Sequence, residues 1–108
     1  MKFAVRTLRR AEADIVRTYA WIAQRSEQGA ASWYRAVREA IQSLEEDAAL
    51  HALAPESAEL GKQIRQCFFK TRRGRVYRLL YTLVGNQVHV VRVRGPGQAP
   101  ITADDVSE

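Results

Sequence analysis

The sequence predicts an α+β domain in which a hairpin of two helices packs on one face of an antiparallel sheet. The stretch 61–94 contains three runs rich in Val, Ile, Phe and Tyr that are separated by turn residues, a pattern typical of an antiparallel meander. Two amphipathic helical segments with a short connection precede this stretch, and a short strand candidate begins the chain. The predicted order is therefore β-α-α-β-β-β, with both helices layered on the sheet.

The first strand candidate covers residues 2–6, in which apolar and charged side chains alternate. Thr7 is a suitable N-cap for the helix that follows. From residue 8 to about residue 25, apolar side chains recur at spacings of three and four, so one face of this helix is expected to be buried. That face consists of Ala11, Ile15, Tyr19, Ile22 and Ala23.

A second helix is predicted over about residues 30–47, and residues 48–61 predict a loop. Ser26 and Gly29 mark the break before this helix, because serine caps a helix locally and glycine is a natural terminator. Since only a few residues connect the two helices, they are expected to form an antiparallel hairpin. The apolar face of the second helix consists of Trp33, Tyr34, Val37, Ala40, Ile41 and Leu44.

The meander strands are predicted at residues 64–69, 76–83 and 88–93. The first strand of the chain must pair with one edge of this meander, and the pattern leaves open which edge. A turn over residues 71–74 would place Cys67 opposite Arg78. A type II′ turn at residues 85 and 86, which begins with glycine, would pair Val84 with Gln87 and place Arg78 opposite Val93.

These registers divide the meander between two faces, because side chains alternate along a strand. The face assigned to the helices consists of Ile64, Phe68, Tyr77, Leu79, Tyr81, Leu83, Val88 and Val90. The other face mixes charged and apolar side chains, so a partner is expected to cover it. It consists of Arg65, Cys67, Arg78, Leu80, Thr82, His89, Val91 and Val93.

Charge is concentrated in the meander. Residues 61–94 hold nine basic residues and no Asp or Glu, although the net charge of the whole chain is only +5. A packed sheet of this kind predicts an anionic or acidic counterpart. The basic residues are Lys62, Arg65, Lys70, Arg72, Arg73, Arg75, Arg78, Arg92 and Arg94.

The length of 108 residues predicts one domain, which we place at residues 1–95, followed by a flexible tail over residues 96–108. The single cysteine, Cys67, has no partner for an internal disulfide. The N-terminus does not have the pattern of a signal peptide, and no run is apolar enough to span a membrane. A cytoplasmic protein is therefore expected.

Four segments, AEADIVRTYAWIAQ, AIQSL, KQIRQCFFKTRRGRVYRLLYTL and VHVVRVRG, together resemble the RelE/ParE superfamily of bacterial type II toxins over about residues 3–95. The sharpest part is a basic turn with Gly74, followed by Tyr77 and Arg78. The resemblance implies the fold described above and a small growth-inhibiting toxin held inactive by an antitoxin encoded beside it. RelE-like members cut messenger RNA on the ribosome, whereas ParE-like members poison DNA gyrase.

The resemblance implies a catalytic role for Arg78 if the chain is a RelE-like nuclease. The other basic positions of such nucleases fall near Gln66 and Phe68, and near Pro96 or Gly97. Cleaving RNA through its 2′-hydroxyl requires a proton acceptor, a proton donor and positive charge at the phosphate. Arg65 and Arg78 could supply charge, and His89 is the nearby group that titrates near neutrality. The ParE-like, non-enzymatic function is therefore favoured. A RelE-like endoribonuclease and an inactive basic binding module are the alternatives.

The expected partner is a cognate antitoxin that covers the basic sheet, and the cellular target is DNA gyrase or the ribosome with its messenger RNA. No cofactor, metal or membrane is implied. Some of these residues have an alternative interpretation as purely structural. The arginines of the turn would form a solvated hairpin tip, His89 would be a hydrogen-bonded strand residue, and Trp21 would lie at the edge of the core. The residues predicted to bind antitoxin or target are Arg65, Lys70, Arg72, Arg73, Arg75, Arg78, Leu80, His89 and Val91.

Overall fold

The computed structural model describes residues 2–106 and has the predicted order of strands and long helices. A short helix, α3, lies in the segment that was expected to be a loop, and 3-10 turns occur at Ala48–Leu50 and Ala103–Val106. The helices and strands are β1 (Ala4–Thr7), α1 (Arg9–Ala23), α2 (Glu27–Asp47), α3 (Glu56–Leu60), β2 (Arg65–Phe69), β3 (Tyr77–Val84) and β4 (Gln87–Arg94).

The four strands form one sheet in the order β1-β4-β3-β2. The meander of β2, β3 and β4 is antiparallel, as predicted, but β1 pairs with β4 in parallel, so the sheet as a whole is mixed. The chain between β1 and β4 contains the three helices, β2 and β3, so it is long enough for the crossover that a parallel pair requires. The pattern had not settled which edge β1 occupies.

The helix boundaries differ from the predicted ones at both N-termini. Thr7 ends β1, where it pairs with Val90, and Leu8 is the N-cap of α1 without a side-chain hydrogen bond, so the predicted cap was wrong. Ser26 does cap α2, because its Oγ accepts from the Gly29 amide at 2.9 Å. Gly29 therefore lies inside α2 rather than ending a helix.

Both long helices pack on one face of the sheet and form the first core cluster with it. Tyr81 is fully buried there, and its hydroxyl donates to the Ala48 carbonyl at 2.6 Å. Tyr19 and Tyr34, expected within the helix faces, are 40% and 41% exposed and pack edge to face on each other. The buried members of this cluster are Ala11, Ile15, Trp33, Val37, Ala40, Ile41, Leu44, Ala48, Cys67, Phe69, Leu79, Tyr81, Val88, Val90 and Val93.

The register of β2 on β3 differs by one residue from the prediction, because Phe68 and not Cys67 lies opposite Arg78. A slip of one residue moves every side chain of a strand to the other face. Cys67 therefore faces the helices and Phe68 is 60% exposed. The observed register pairs Phe69 with Tyr77, and both rings pack against Trp33 at 6.0 and 5.4 Å between centroids.

The turn between β3 and β4 pairs Val84 with Gln87, as predicted. Farther along, a bulge shifts the register: Tyr81 pairs with Val90 and Leu80 with Arg92, which leaves Val91 as the extra residue. Beyond the bulge the alternation of β4 is reversed. Arg78 consequently lies opposite Arg94, and Val93 packs in the first cluster rather than on the second face.

The second face of the sheet is covered by the chain itself. Leu80 and Val91, which were expected on an open face, are 0% and 3% exposed. Ile101, from the segment expected to be a tail, is 4% exposed and packs on them together with residues from the region of α3. Residues 107 and 108 of that segment, and Met1, lie outside the described residues. The buried members of this second cluster are Ala54, Ile64, Leu80, Val91 and Ile101.

None of the helices formed by residues 2–106 combines the length and the apolar character that a membrane crossing requires.

Candidate binding site

Arg78 is held by a buried carboxylate. Its guanidinium donates to Glu56 Oε1 at 2.9 Å and Oε2 at 2.5 Å, and to Gln66 Oε1 at 3.0 Å. Glu56 is 5% exposed and also accepts from the Ile101 amide at 3.2 Å. The hydrogen bond from Arg78 lowers the pKa of Glu56 to about 2, although burial alone would raise it. The arginine that matches the nuclease position is therefore paired within the chain.

Asp14 performs the same role for Arg92. This carboxylate of α1 is 4% exposed and accepts from Arg92 Nε and Nη2, each at 2.8 Å, and from the Val93 amide at 2.9 Å. The two-pronged pair with arginine satisfies both carboxylate oxygens. It also fixes α1 against β4.

Asp105 brings a third carboxylate to the sheet from the C-terminal segment. It contacts Arg92 and Arg94, the latter at 3.4 Å, and it accepts from the Thr102 amide at 2.7 Å. Burial would raise the pKa of Asp105, but the hydrogen bonds from Thr102 and the two guanidinium charges outweigh it and lower the pKa. Part of the positive charge of the meander is thus balanced by acids from α1, α3 and the C-terminal segment.

The three residues considered for RNA cleavage do not come together. Arg65 lies at the helix side of the sheet edge, where it donates to the His51 carbonyl at 2.6 Å, because the shifted register of β2 turns it away from Arg78. His89 contacts Gln87 at 3.1 Å and pairs with Thr82, four residues along β3 from Arg78, about 13 Å at the usual rise of a strand. Arg65, Arg78 and His89 therefore form no common site.

The loop at residues 70–76 between β2 and β3, here named the basic loop, keeps its charges exposed. Lys70, Arg72, Arg73 and Arg75 are all exposed. Within residues 2–106, no carboxylate lies at ion-pair distance from any of the four. Gly74 turns close to Thr71, since a Cβ at this position would lie 2.2 Å from the threonine hydroxyl.

Beside the basic loop runs a groove of about 840 Å³, here named the helix–loop groove. Its lining includes Trp21 from the end of α1 and Arg73 and Arg75 from the basic loop. Trp33 and Tyr77 also line it. Close to the Tyr77 ring the chain needs glycine, because a Cβ at position 95 would lie 2.6 Å from that ring. The sequence marked Trp21 as a minor candidate for a partner contact, but it did not predict this groove.

The acids that pair with the sheet arginines were also missed. Asp14 carried a usable signal, because it lies between Ala11 and Ile15 on the buried side of an amphipathic helix, where an unpaired carboxylate would be costly. Glu56 and Asp105 lie in segments without periodicity and carried no comparable signal.

Cys67 is a packed thiol and not a reactive one. It is 5% exposed, and burial raises its pKa to about 11. Among the described residues, no cluster of three or more His, Cys, Asp and Glu side chains is placed to hold a metal ion.

Comparison with known proteins agrees with this fold. A family model described as the ParE toxin of the type II toxin-antitoxin system parDE matches residues 5–100. Among solved structures, the chain is similar to one titled "Chromosomal ParDE TA system from P. aeruginosa", with a TM-score of 0.66 and 16% identity over 87% of this chain and 96% of that chain. At this identity the structural likeness shows the fold. No curated protein matches.

The family match extends over the three helices and, apart from Ala4, over all four strands. The chain therefore belongs to the ParE toxin family of type II toxin-antitoxin systems.

Proposed function

We propose that this protein is a growth-inhibiting toxin that acts by binding DNA gyrase in the cytoplasm, without catalysis, and that a cognate antitoxin neutralises it. The observation that carries the proposal is the pairing of Arg78 with buried Glu56. The guanidinium already donates to two carboxylate oxygens and to the Gln66 amide oxygen, and its charge is paired with that of Glu56, so it attracts a phosphate less than an unpaired arginine would.

The separation of His89 from Arg78 supports the same function. Arginine remains protonated at any physiological pH, so Arg78 could stabilise charge but could not act as a base. His89 contacts Gln87 and lies about 13 Å along the sheet from Arg78, as judged from the strand rise. A general base must lie within hydrogen-bond reach of the proton it removes.

The basic loop is the part of the meander proposed to meet the target. Lys70 and Arg72 are exposed at its start, and no carboxylate of residues 2–106 lies at ion-pair distance from either charge. Such charge steers association with an acidic or anionic surface. Arg65, Leu80 and Val91 have other roles in the fold, so their predicted contact with a partner is not part of this proposal.

The first experiment is a supercoiling assay with purified gyrase and relaxed plasmid. The wild-type chain is expected to inhibit supercoiling, and Lys70→Glu/Arg72→Glu is expected to inhibit at least about tenfold less, because the steering charge is reversed. Arg35→Glu, an exposed charge change on α2, is the matched control and should inhibit like the wild type.

A second arm tests the nuclease alternative. Arg78→Ala alone would leave buried Glu56 unpaired and could unfold the protein, so the variant is Arg78→Met/Glu56→Leu, which removes both charges. Expressed in a bacterial host, this variant is expected to arrest growth with a DNA-damage response and intact transcripts, as the wild type does. Ribosome-dependent cleavage of transcripts by the wild type that is lost in the variant would overturn the proposal in favour of a RelE-like endoribonuclease. Absence of arrest by the wild type would overturn it in favour of an inactive binding module.

A further inference from the structure

We propose that the helix–loop groove binds a segment of the antitoxin in which a large apolar side chain is flanked by carboxylates. This inference rests on the proposed function and names the surface and the chemistry of its partner contact. It places that contact beside the basic loop and away from the sheet face of Leu80 and Val91.

The two surfaces differ in accessibility. Leu80 and Val91 are 0% and 3% exposed beneath Ile101 and the region of α3, so a partner could reach them only by displacing parts of the chain. The helix–loop groove is open, with a volume of about 840 Å³, and Trp21 in its wall is 54% exposed. A large exposed aromatic side chain at a concave surface is typical of an interaction site.

The charge of the groove selects an acidic occupant. Arg17, Arg73 and Arg75 line it, and none of the lining residues within the described range 2–106 is Asp or Glu. Arg17 has a side chain that is 70% exposed and only a 3.4 Å contact to Asp14, whose oxygens are already taken by Arg92. These guanidinium groups are therefore available for the planar, two-pronged pairing that arginine makes with carboxylates.

The apolar part of the groove is rigid. Trp33 is 3% exposed, and the Tyr77 ring packs on it edge to face at 5.4 Å. Arg25 orients Trp21, because its guanidinium lies 3.9 Å from the indole centroid and donates to the Trp21 carbonyl at 3.1 Å. Ordered aromatic side chains lose little entropy when a partner binds. Trp, Tyr and Arg are also the residue types that dominate the binding energy of protein interfaces.

Protein fits this groove better than nucleic acid. Sites for single strands stack successive bases on several exposed rings along a basic track. Of the aromatic side chains that line the groove in the described part of the chain, Trp21 alone is exposed. A groove that presents one exposed aromatic side chain among arginines is complementary to a protein segment with one large apolar side chain between carboxylates.

The test uses the purified chain and the purified product of the open reading frame beside its gene, titrated by calorimetry. Trp21→Ala and Arg73→Glu are each expected to raise the dissociation constant by about 30-fold or more, as the loss of an interface anchor does. Tyr34→Ala and Arg35→Glu are the matched controls, since both side chains are exposed on α2 outside the groove, and they should bind like the wild type. Circular dichroism and urea unfolding verify that each variant is folded.

Growth assays separate this inference from the proposed function. Trp21→Ala should still arrest growth, and co-expression of the neighbouring product should no longer relieve the arrest. The groove site would be overturned if the neighbouring product fully relieved the arrest caused by Trp21→Ala and bound this variant with unchanged affinity. The toxin function would then still stand. Unchanged affinity for the neighbouring product together with weaker binding of oligothymidylate by Arg73→Glu would show a nucleic-acid site instead. A wild-type chain that neither arrests growth nor binds the product would overturn both.

Discussion

Glu56 lies on a helix of only five residues, and its carboxylate pairs with Arg78 and so withdraws this arginine from contact with a partner. Arg78 and Arg92, whose side chains are 20% and 14% exposed, are held by Glu56 and Asp14. Arg72 and Arg73 of the basic loop stay exposed. At the scale of single residues, the positive charge of the meander thus divides into a part that stabilises the fold and a part left for binding.

Glu56 also makes stability depend on pH. Its pKa is about 2 in the folded protein, below the ordinary value of 4.5, so the pair with Arg78 contributes its full stabilisation above about pH 5. That contribution is lost as the pH falls toward 2, because the unfolded chain takes up the proton first. Urea unfolding of the wild type should be measured from about pH 6 to about pH 2.5 in steps of about 0.5 pH unit. The free energy of unfolding is expected to fall as the pH falls.

Arg78→Met/Glu56→Leu is the reference for this measurement. It lacks the titrating carboxylate and should lose less stability than the wild type over the same range. Equal slopes for the two proteins would mean that Glu56 is not coupled to folding. The pKa of Asp105 is also lowered, so protonation of Asp105 at low pH reduces the stability of both proteins in the same direction.

At the scale of elements, β4 supplies both clusters, and its bulge decides which of them Val93 joins. Val90 faces the helices, Val91 faces the opposite side, and Val93 faces the helices again. Strict alternation would have placed Val91 and Val93 together, which is what the sequence predicted. The bulge also aligns Arg92 and Arg94 on the face that Asp105 covers.

Substitutions of Leu80 test whether the second face of the sheet is covered by the chain in solution. It is fully buried in the second cluster, so Leu80→Asp should abolish folding, since a carboxylate without a partner would be placed in an apolar site. Leu80→Ala should lower the free energy of unfolding by about 2–4 kcal/mol. Val84→Asp on the same strand is the control, because Val84 is 56% exposed, and it should change stability little. A folded Leu80→Asp protein that fails only to bind a partner would show that this face is open in solution.

The parts of the fold that were predicted correctly depend on local pattern. The helix faces around Ile15 and Val37, and the turn pairing Val84 with Gln87, follow from periodicity and turn chemistry in neighbouring residues. The register of β2 depends instead on how Phe69 and Tyr77 pack against Trp33, which is distant in sequence. For the site, the basic loop was evident from its composition, whereas the acids that neutralise the other arginines come from separate segments.

At the scale of the whole molecule, the beginning and end of the chain hold each other in place. β1 lies at the edge of the sheet and pairs with β4, and Asp14 on α1 binds Arg92 and the Val93 amide. The Leu8 amide also donates to the Val90 carbonyl at 3.0 Å. These contacts close the fold around the sheet, so they should matter to global stability.

Asp14→Ala tests how much these contacts stabilise the fold. Removal of the Asp14 carboxylate leaves Arg92 and the Val93 amide without their acceptor, so the free energy of unfolding should fall by about 3 kcal/mol. Glu12→Ala is the control on the same helix, because Glu12 makes a partly exposed 3.4 Å pair with Arg38, and it should cost less than about 1 kcal/mol. Similar losses for the two variants, measured by urea unfolding, would contradict the role assigned to Asp14.

The pairing of β1 with β4 has a consequence for synthesis. β1 is translated before both long helices and the rest of the sheet, and its partner strand at Gln87–Arg94 is the last strand of the sheet to be made. A growing chain therefore carries an unpaired β1 and an incomplete core until β4 has been translated, since domains fold as units. Translation products that stop before β4 consequently lack the folded surfaces of this domain.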